Sequence, residues 1–176
     1  PGPASIVKPD LVFYGGNASV INGKGRYTGV KSFTPSGDVG GAAGTSFSTP
    51  GVSRIAGELS FLLSENFDPL LIRALLIHYA KYPDGIRMKM ADKISQMGFG
   101  IPVSANEILY NSPDEITLVL RDTLEKGSFI EMFDFPYPPS LIDEHGNFTG
   151  QIILTVVNKS LVDENSQENI ANPILM

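Results

Sequence analysis

The sequence predicts two parts: an α/β region over residues 1–110 and a β-rich, sandwich- or jelly-roll-like region over residues 111–176. Three observations carry this. A β-type run, "PDLVFYGG", closes on two glycines. Two helical patterns follow, one opening at Ser46 and one at Asp68-Pro69. After "NSP" (111–113) the style changes to β-type runs, "EITLVLRD", "GSFIEMFDF" and "FTGQIILTVVN", separated by Gly, Pro and Asp turns.

The opening run reads as a strand and turn ending near Gly15. Residues 16–44 are rich in Gly, Ser, Thr and Asn and hold no sustained period. They read as a long loop with a short strand around Ser19–Asn22, and loops of this length inside compact domains are usually functional or disordered. From Ser46 onward Val52, Ile55, Ala56, Leu59, Leu62 and Leu63 recur at helical spacings. Proline is tolerated in the first turn, where its missing N–H has no intrahelical partner to lose, so Pro50 places the helix start close to Ser46. Gly51 and Gly57 each cost about 1 kcal/mol of helix propensity relative to Ala. A helix that keeps both is expected to need close backbone packing.

Asp68 then caps a second helix, with Pro69 at its first position, running to about Ala80. Its apolar arc is wide, so burial is expected. Gly98 and Gly100 bracket a short extended piece, and Ser104 with Glu107 forms a capping box for a short helix. Farther on, "FPYPPS" is excluded from any central strand, and "DEHGNFTG" reads as a hairpin turn.

The 176 residues suffice for one good core or two small ones. No run approaches the roughly 18 apolar residues of a membrane span. A net charge of -6 without a Lys/Arg cluster argues against a nucleic-acid-binding surface. The absence of Cys excludes a disulfide framework, a Cys-based zinc site and a thiol nucleophile, and leaves the compartment open. Sequons at Asn17, Asn147 and Asn158 carry little weight at this length. The first residues lack the basic start and apolar stretch of a signal peptide. Both ends read like chain interior, and the expectation is a piece of a longer protein.

One stretch raises a chemical question: "GGAAGTSFSTPGVSRIAGELSFLL". Ser46 stands where a small-residue loop becomes helical. It is either a helix cap or a nucleophile held at a helix end. Here the sequence resembles the nucleophile segment of subtilisin-like serine proteases, matching at Gly44, Thr45, Ser46, Pro50, Val52 and Ala56. Phe47 stands where that family usually has Met, and Gly51 where His is common. "KPDLVFYGG", "DPLLIRALLIHYA" with Arg73, Ala74 and Leu75, and "MGFGIPVSANEIL" resemble further segments of the family in the same order, over roughly residues 8–109.

The resemblance implies the C-terminal half of a doubly wound parallel sheet and an endopeptidase acting by acyl transfer. Ser46 is implied as nucleophile, its backbone N–H as one oxyanion donor, and Gly44, Thr45 and Pro50 as supporting residues. The implied partners are a protein or peptide substrate and the remainder of the same catalytic domain. No cofactor is implied; a structural Ca²⁺ is common in the family, yet no oxygen-rich loop here qualifies as its site. The family's usual setting, secreted or cell-envelope, does not fix the compartment.

The family's triad runs Asp, His, Ser along the chain. The 45 residues before Ser46 hold no His and only Asp10 and Asp38, neither in an Asp-x-Gly setting. His78 reads as a packing residue on a helix. His145, in "EHGNFTG", is similar to a His-Gly-Thr signature but precedes a β-run and reads as a turn residue. The fragment is therefore expected to be inactive by itself, with its Asp and His upstream. The alternative is a non-catalytic pseudoprotease or binding module working through the β-rich tail, roughly 114–160. Half of a doubly wound sheet also leaves an edge and an apolar face uncovered, so an exposed apolar patch or self-association is expected.

Overall fold

The computed structural model describes residues 7–63, 67–110, 112–125 and 127–159. They form two compact units. One comprises the residues up to Ile108 together with those from Leu154 onward, and the other runs from Leu109 to Ile153.

The first unit opens with an extended run at residues 10–15. Phe99 N–H donates to Asp10 O at 2.8 Å and Val12 N–H to Gly100 O at 3.0 Å, which holds this run against the Gly98–Gly100 bracket. Two antiparallel hairpins follow. Strands β1 (Asn17–Ile21) and β2 (Lys24–Thr28) pair with Ile21 opposite Lys24 and Asn17 opposite Thr28. Their turn is Asn22-Gly23, with φ of 52° and 72°. This is the doubly left-handed turn whose twist suits a two-residue hairpin. Strands β3 (Val30–Phe33) and β4 (Val39–Ala42) pair with Phe33 opposite Val39. The region expected as a loop is thus two hairpins.

The parallel sheet is not formed among the described residues, where both ladders are antiparallel and two-stranded. A parallel ladder needs a second extended run reached through a crossover. Here the run at 10–15 passes directly into hairpins.

Helix α1 (Thr45–Leu62) buries Ile55 and Leu59, four residues apart on one face. Helix α2 (Pro69–His78) buries Ile72, Leu75 and Leu76. Helices α3 (Met90–Met97) and α4 (Ala105–Ile108) complete the set, the latter burying Ala105 and Ile108. α1 packs on both α2 and α4, and its Leu59 is fully buried. Each such Leu or Ile stabilises the unit by about 1.5–3 kcal/mol.

The local chemistry fixes the helix starts. Asp68 Oδ1 accepts from Leu70 N–H at 2.9 Å and Leu71 N–H at 3.3 Å, with Pro69 at the first helical position. Glu107 Oε2 accepts from Ser104 Oγ at 2.8 Å and Ser104 N–H at 3.2 Å, while Ser104 Oγ accepts from Glu107 N–H at 3.3 Å. These bonds favour the charged carboxylate and hold Glu107 below the usual range.

Proline and glycine in α1 behave partly against expectation. Pro50 is the sixth helical residue, just past the first turn in which it was expected, with the helix start at Thr45 close to Ser46 as expected. Its missing N–H denies the Ser46 carbonyl an intrahelical partner. A methyl on Gly51 would stand 2.4 Å from the Phe13 ring, so this glycine does permit close packing. Nothing lies within 4 Å of where a methyl on Gly57 would be, so packing does not require that one.

In the second unit a 3₁₀ turn (Pro139–Leu141) precedes a tight turn over residues 142–148. Asp143 Oδ1 accepts from His145 N–H at 2.9 Å and Asn147 N–H at 2.7 Å. His145 is therefore a turn residue. Phe135, Tyr137 and Phe148 stack at 4.8–4.9 Å between centroids. Among the described residues the runs expected as strands, 115–122, 127–135 and 148–158, join no ladder, so no sandwich or jelly roll is formed there. A strand needs a paired neighbour to satisfy its backbone, and Ile116, Val119, Phe129 and Phe133 remain exposed.

Candidate active site

The backbone before Ser46 is shaped by glycine. Gly44 N–H donates to Gly15 O at 2.7 Å, which ties the loop to the end of the extended run. A methyl on Gly15 would lie 2.7 Å from Gly44 O, and one on Gly16 would lie 2.3 Å from Ala42 O. Gly16 also holds φ at 78°, where side chains are strained. A methyl on Gly41 would meet Tyr27 O at 2.4 Å, so β2 and β4 cross backbone to backbone. These close approaches fix where β4 ends and the helix begins.

Gly44 is the N-cap of α1, in an extended conformation, and no side chain caps the helix. Ser46 is the second helical residue and is exposed. The capping reading of Ser46 therefore does not hold. Its Oγ makes no hydrogen bond among the described residues. Neither do the backbone N–H groups of Thr45 and Ser46 find a partner there, whereas Phe47 N–H donates to Gly44 O at 3.1 Å. The first turn contains no acidic residue. Among the described residues, the partial positive charge of the helix N-terminus therefore stands beside a hydroxyl and an amide without a hydrogen-bond partner.

Ser48 and Thr49 behave differently. Both hydroxyls donate to Thr45 O, at 3.0 and 2.9 Å. This anchors the first turn close to where Pro50 withdraws a backbone donor. Helical spacings of three and four from Thr45 to Ser48 and Thr49 signal this arrangement in the sequence. The hairpins had a signal too, the Asn22-Gly23 pair between β-type residues.

No partner base is assembled around Ser46 among the described residues. His78 Nδ1 lies 2.9 Å from Thr155 Oγ1, and its ring packs edge-on to Tyr79. Asp10 is committed to Lys8 at 2.6 Å and Arg73 at 2.9 Å. Burial pushes its carboxyl up, but the bonds and charges of Lys8 and Arg73 outweigh this and hold it below the ordinary range. Asp38 accepts from Ser36 Oγ at 3.0 Å. Among the described residues no group of three His, Asp or Glu could hold a metal ion, and no helix is long and apolar enough to cross a membrane.

The first unit thus combines small antiparallel sheets with helices and carries an exposed serine in the first turn of its longest helix. The family model Peptidase_S8, the Subtilase family, matches residues 2–101, more than half of the chain, and the chain belongs to that family. The match makes its origin that of a serine peptidase. No curated protein and no solved structure matches the chain.

Proposed function

We propose that Ser46 is the nucleophile of a subtilase endopeptidase whose remaining catalytic groups lie in polypeptide upstream. The observation that carries this reading is the exposed Ser46 Oγ at the second position of α1, beside an N–H with no partner among the described residues. In this reading Oγ attacks the peptide carbonyl, an upstream His takes its proton, and an upstream Asp orients that His. The Ser46 N–H donates to the oxyanion that forms. One such donor is worth on the order of 3 kcal/mol in the transition state.

Gly44 supports this role by its place in the chain. As the N-cap it leads the chain from the Gly15 contact into the first turn, and a methyl there would meet Ser46 N and Phe47 Cδ2 only at an ordinary 3.9 Å. Thr45 supplies the carbonyl that Ser48 and Thr49 anchor, and Pro50 removes an intrahelical partner from the Ser46 carbonyl.

The finer architecture follows the same reading. Residues 1–110 form the C-terminal part of the catalytic domain, whose upstream part supplies the rest of a doubly wound parallel sheet. Residues 111–176 open a β-rich appendage. The 176-residue chain by itself does not turn over peptides. Measurable hydrolysis of an ordinary peptide by this chain, abolished by Ser46→Ala, would refute that.

A second reading keeps the chain as a non-catalytic binding module acting through residues 114–160. It is favoured by the exposed Ile116, Val119, Phe129 and Phe133. An upstream gene sequence lacking an Asp-x-Gly strand and a His-Gly-Thr helix would decide for it. Exposed Phe61, Leu62 and Phe67 give the first unit an apolar surface through which copies of the chain could self-associate.

A further inference from the structure

Charge is unevenly distributed along this chain, which as a whole carries -6. From Leu11 to Gly57 the charged residues are Lys24, Arg26, Lys31, Asp38 and Arg54. Arg54 pairs with Glu58 on its own helix, and Asp38 is held in the β3–β4 turn by Ser36. Lys24, Arg26 and Lys31 are exposed and have no carboxylate partner among the described residues. Lys24 and Arg26 alternate along β2 and so share a face, opposite Ile21 and Ser19. Lys31 stands opposite Gly41, which has no side chain to cover it. Three unpaired cations give this region a positive field in an acidic molecule.

The same region offers a place for an extended chain. β1 pairs only with β2, so its other backbone edge is free of strand pairing among the described residues, whereas β4 crosses β2 at Tyr27. At the hairpin bases lies an open cleft of about 520 Å³, lined by Tyr14, Gly15, Asn17, Thr28 and Gly29 among others. Gly15 is the residue whose carbonyl accepts from Gly44, two positions before Ser46.

We propose that this surface binds acidic peptide segments, and that the substrate of Ser46 carries Asp or Glu in the stretch lying along the hairpins. The second clause rests on the nucleophile reading; the first does not. A peptide can pair its backbone with a free strand edge while its carboxylates meet Lys24, Arg26 and Lys31. A nucleic acid cannot use that edge, and three cations hold a polyphosphate weakly against the net charge of -6.

The test is fluorescence anisotropy with the full chain carrying Ser46→Ala. Three labelled peptides of equal length are compared: one rich in Asp and Glu, its Asn and Gln counterpart, and a Lys-rich one. The acidic peptide is expected to bind about tenfold more tightly than the neutral one at low salt, and to lose that advantage near 0.5 M salt. Reversing K24E, R26E and K31E together removes the preference, as does the milder Gln triple, which guards against misfolding. Reversing Arg87 and Lys89 leaves it intact. Equal affinity for the three peptides, no binding at all, or a preference that survives the hairpin substitutions would overturn the proposal. An oligonucleotide of matched charge binding as tightly would overturn its assignment to peptides. Fluorophosphonate labelling of Ser46 reports on the nucleophile separately. Binding without labelling keeps the surface and removes the substrate clause, and labelling without binding overturns the surface only.

Discussion

Gly16→Ala and Gly57→Ala make the same chemical change and should have opposite effects. At Gly16 the new methyl would lie 2.3 Å from Ala42 O, 3.0 Å from Ala43 Cα and 3.1 Å from Thr28 O, all backbone atoms. It would also force an alanine to hold φ at 78°. Left-handed backbone costs roughly 1–2 kcal/mol and overpacking about 1–3 kcal/mol, so Gly16→Ala should destabilise by about 2–5 kcal/mol. That is a large share of a small domain's total stability. Gly57 sits in the exposed interior of α1 with nothing within 4 Å, so alanine there should add about 1 kcal/mol through helix propensity. Urea unfolding followed by circular dichroism measures both. A Gly16→Ala chain as stable as the parent, or equal damage from both substitutions, would refute the crowded crossing behind Ser46.

Three further outcomes are expected. Asp10→Asn should cost about 1 kcal/mol at neutral pH, since the two ion pairs are half exposed. The folded carboxyl lies below its ordinary value of 3.8, so this contribution is full above that value and fades as pH falls through the folded pKa. Unfolding curves of the two chains should therefore converge in acid, and a gap that persists there would contradict the role of the carboxylate charge. Asp68→Ala should lower stability by about 1 kcal/mol through loss of the α2 cap, with thermal melting as the readout. Gly44→Ala should leave the melting temperature unchanged, because the methyl would meet Phe47 and Ser46 only at an ordinary 3.9 Å and the extended backbone there suits any residue.

The helical part of this chain was legible because its signals are local. Asp68-Pro69 and Ser104 with Glu107 are complete within one turn, and the spacing of Ile55 and Leu59 needs only a helix to become a face. Pro50 places the helix start to within one residue, since α1 opens at Thr45, although the proline itself lies just past the first turn. Of the hairpins only β1 was legible, in part, as a short strand around Ser19–Asn22; all ten residues of β1 and β2 are exposed, so no buried apolar face marks them. α3 escaped notice for a related reason: it buries no residue. The β-type runs after residue 111 had the composition of strands, but pairing is a property of two segments and cannot be read from one. At the site, the small residues around Ser46 were visible, whereas the crossing of Gly16 and Gly41 on distant carbonyls exists only in three dimensions.

The most direct measurement is mass spectrometry of the chain joined to its upstream polypeptide after treatment with a fluorophosphonate. The account predicts a single adduct on Ser46 Oγ, absent from Ser46→Ala and absent when the 176 residues are treated alone. No adduct in the joined protein, or modification at Ser48 or another hydroxyl in its place, would contradict it.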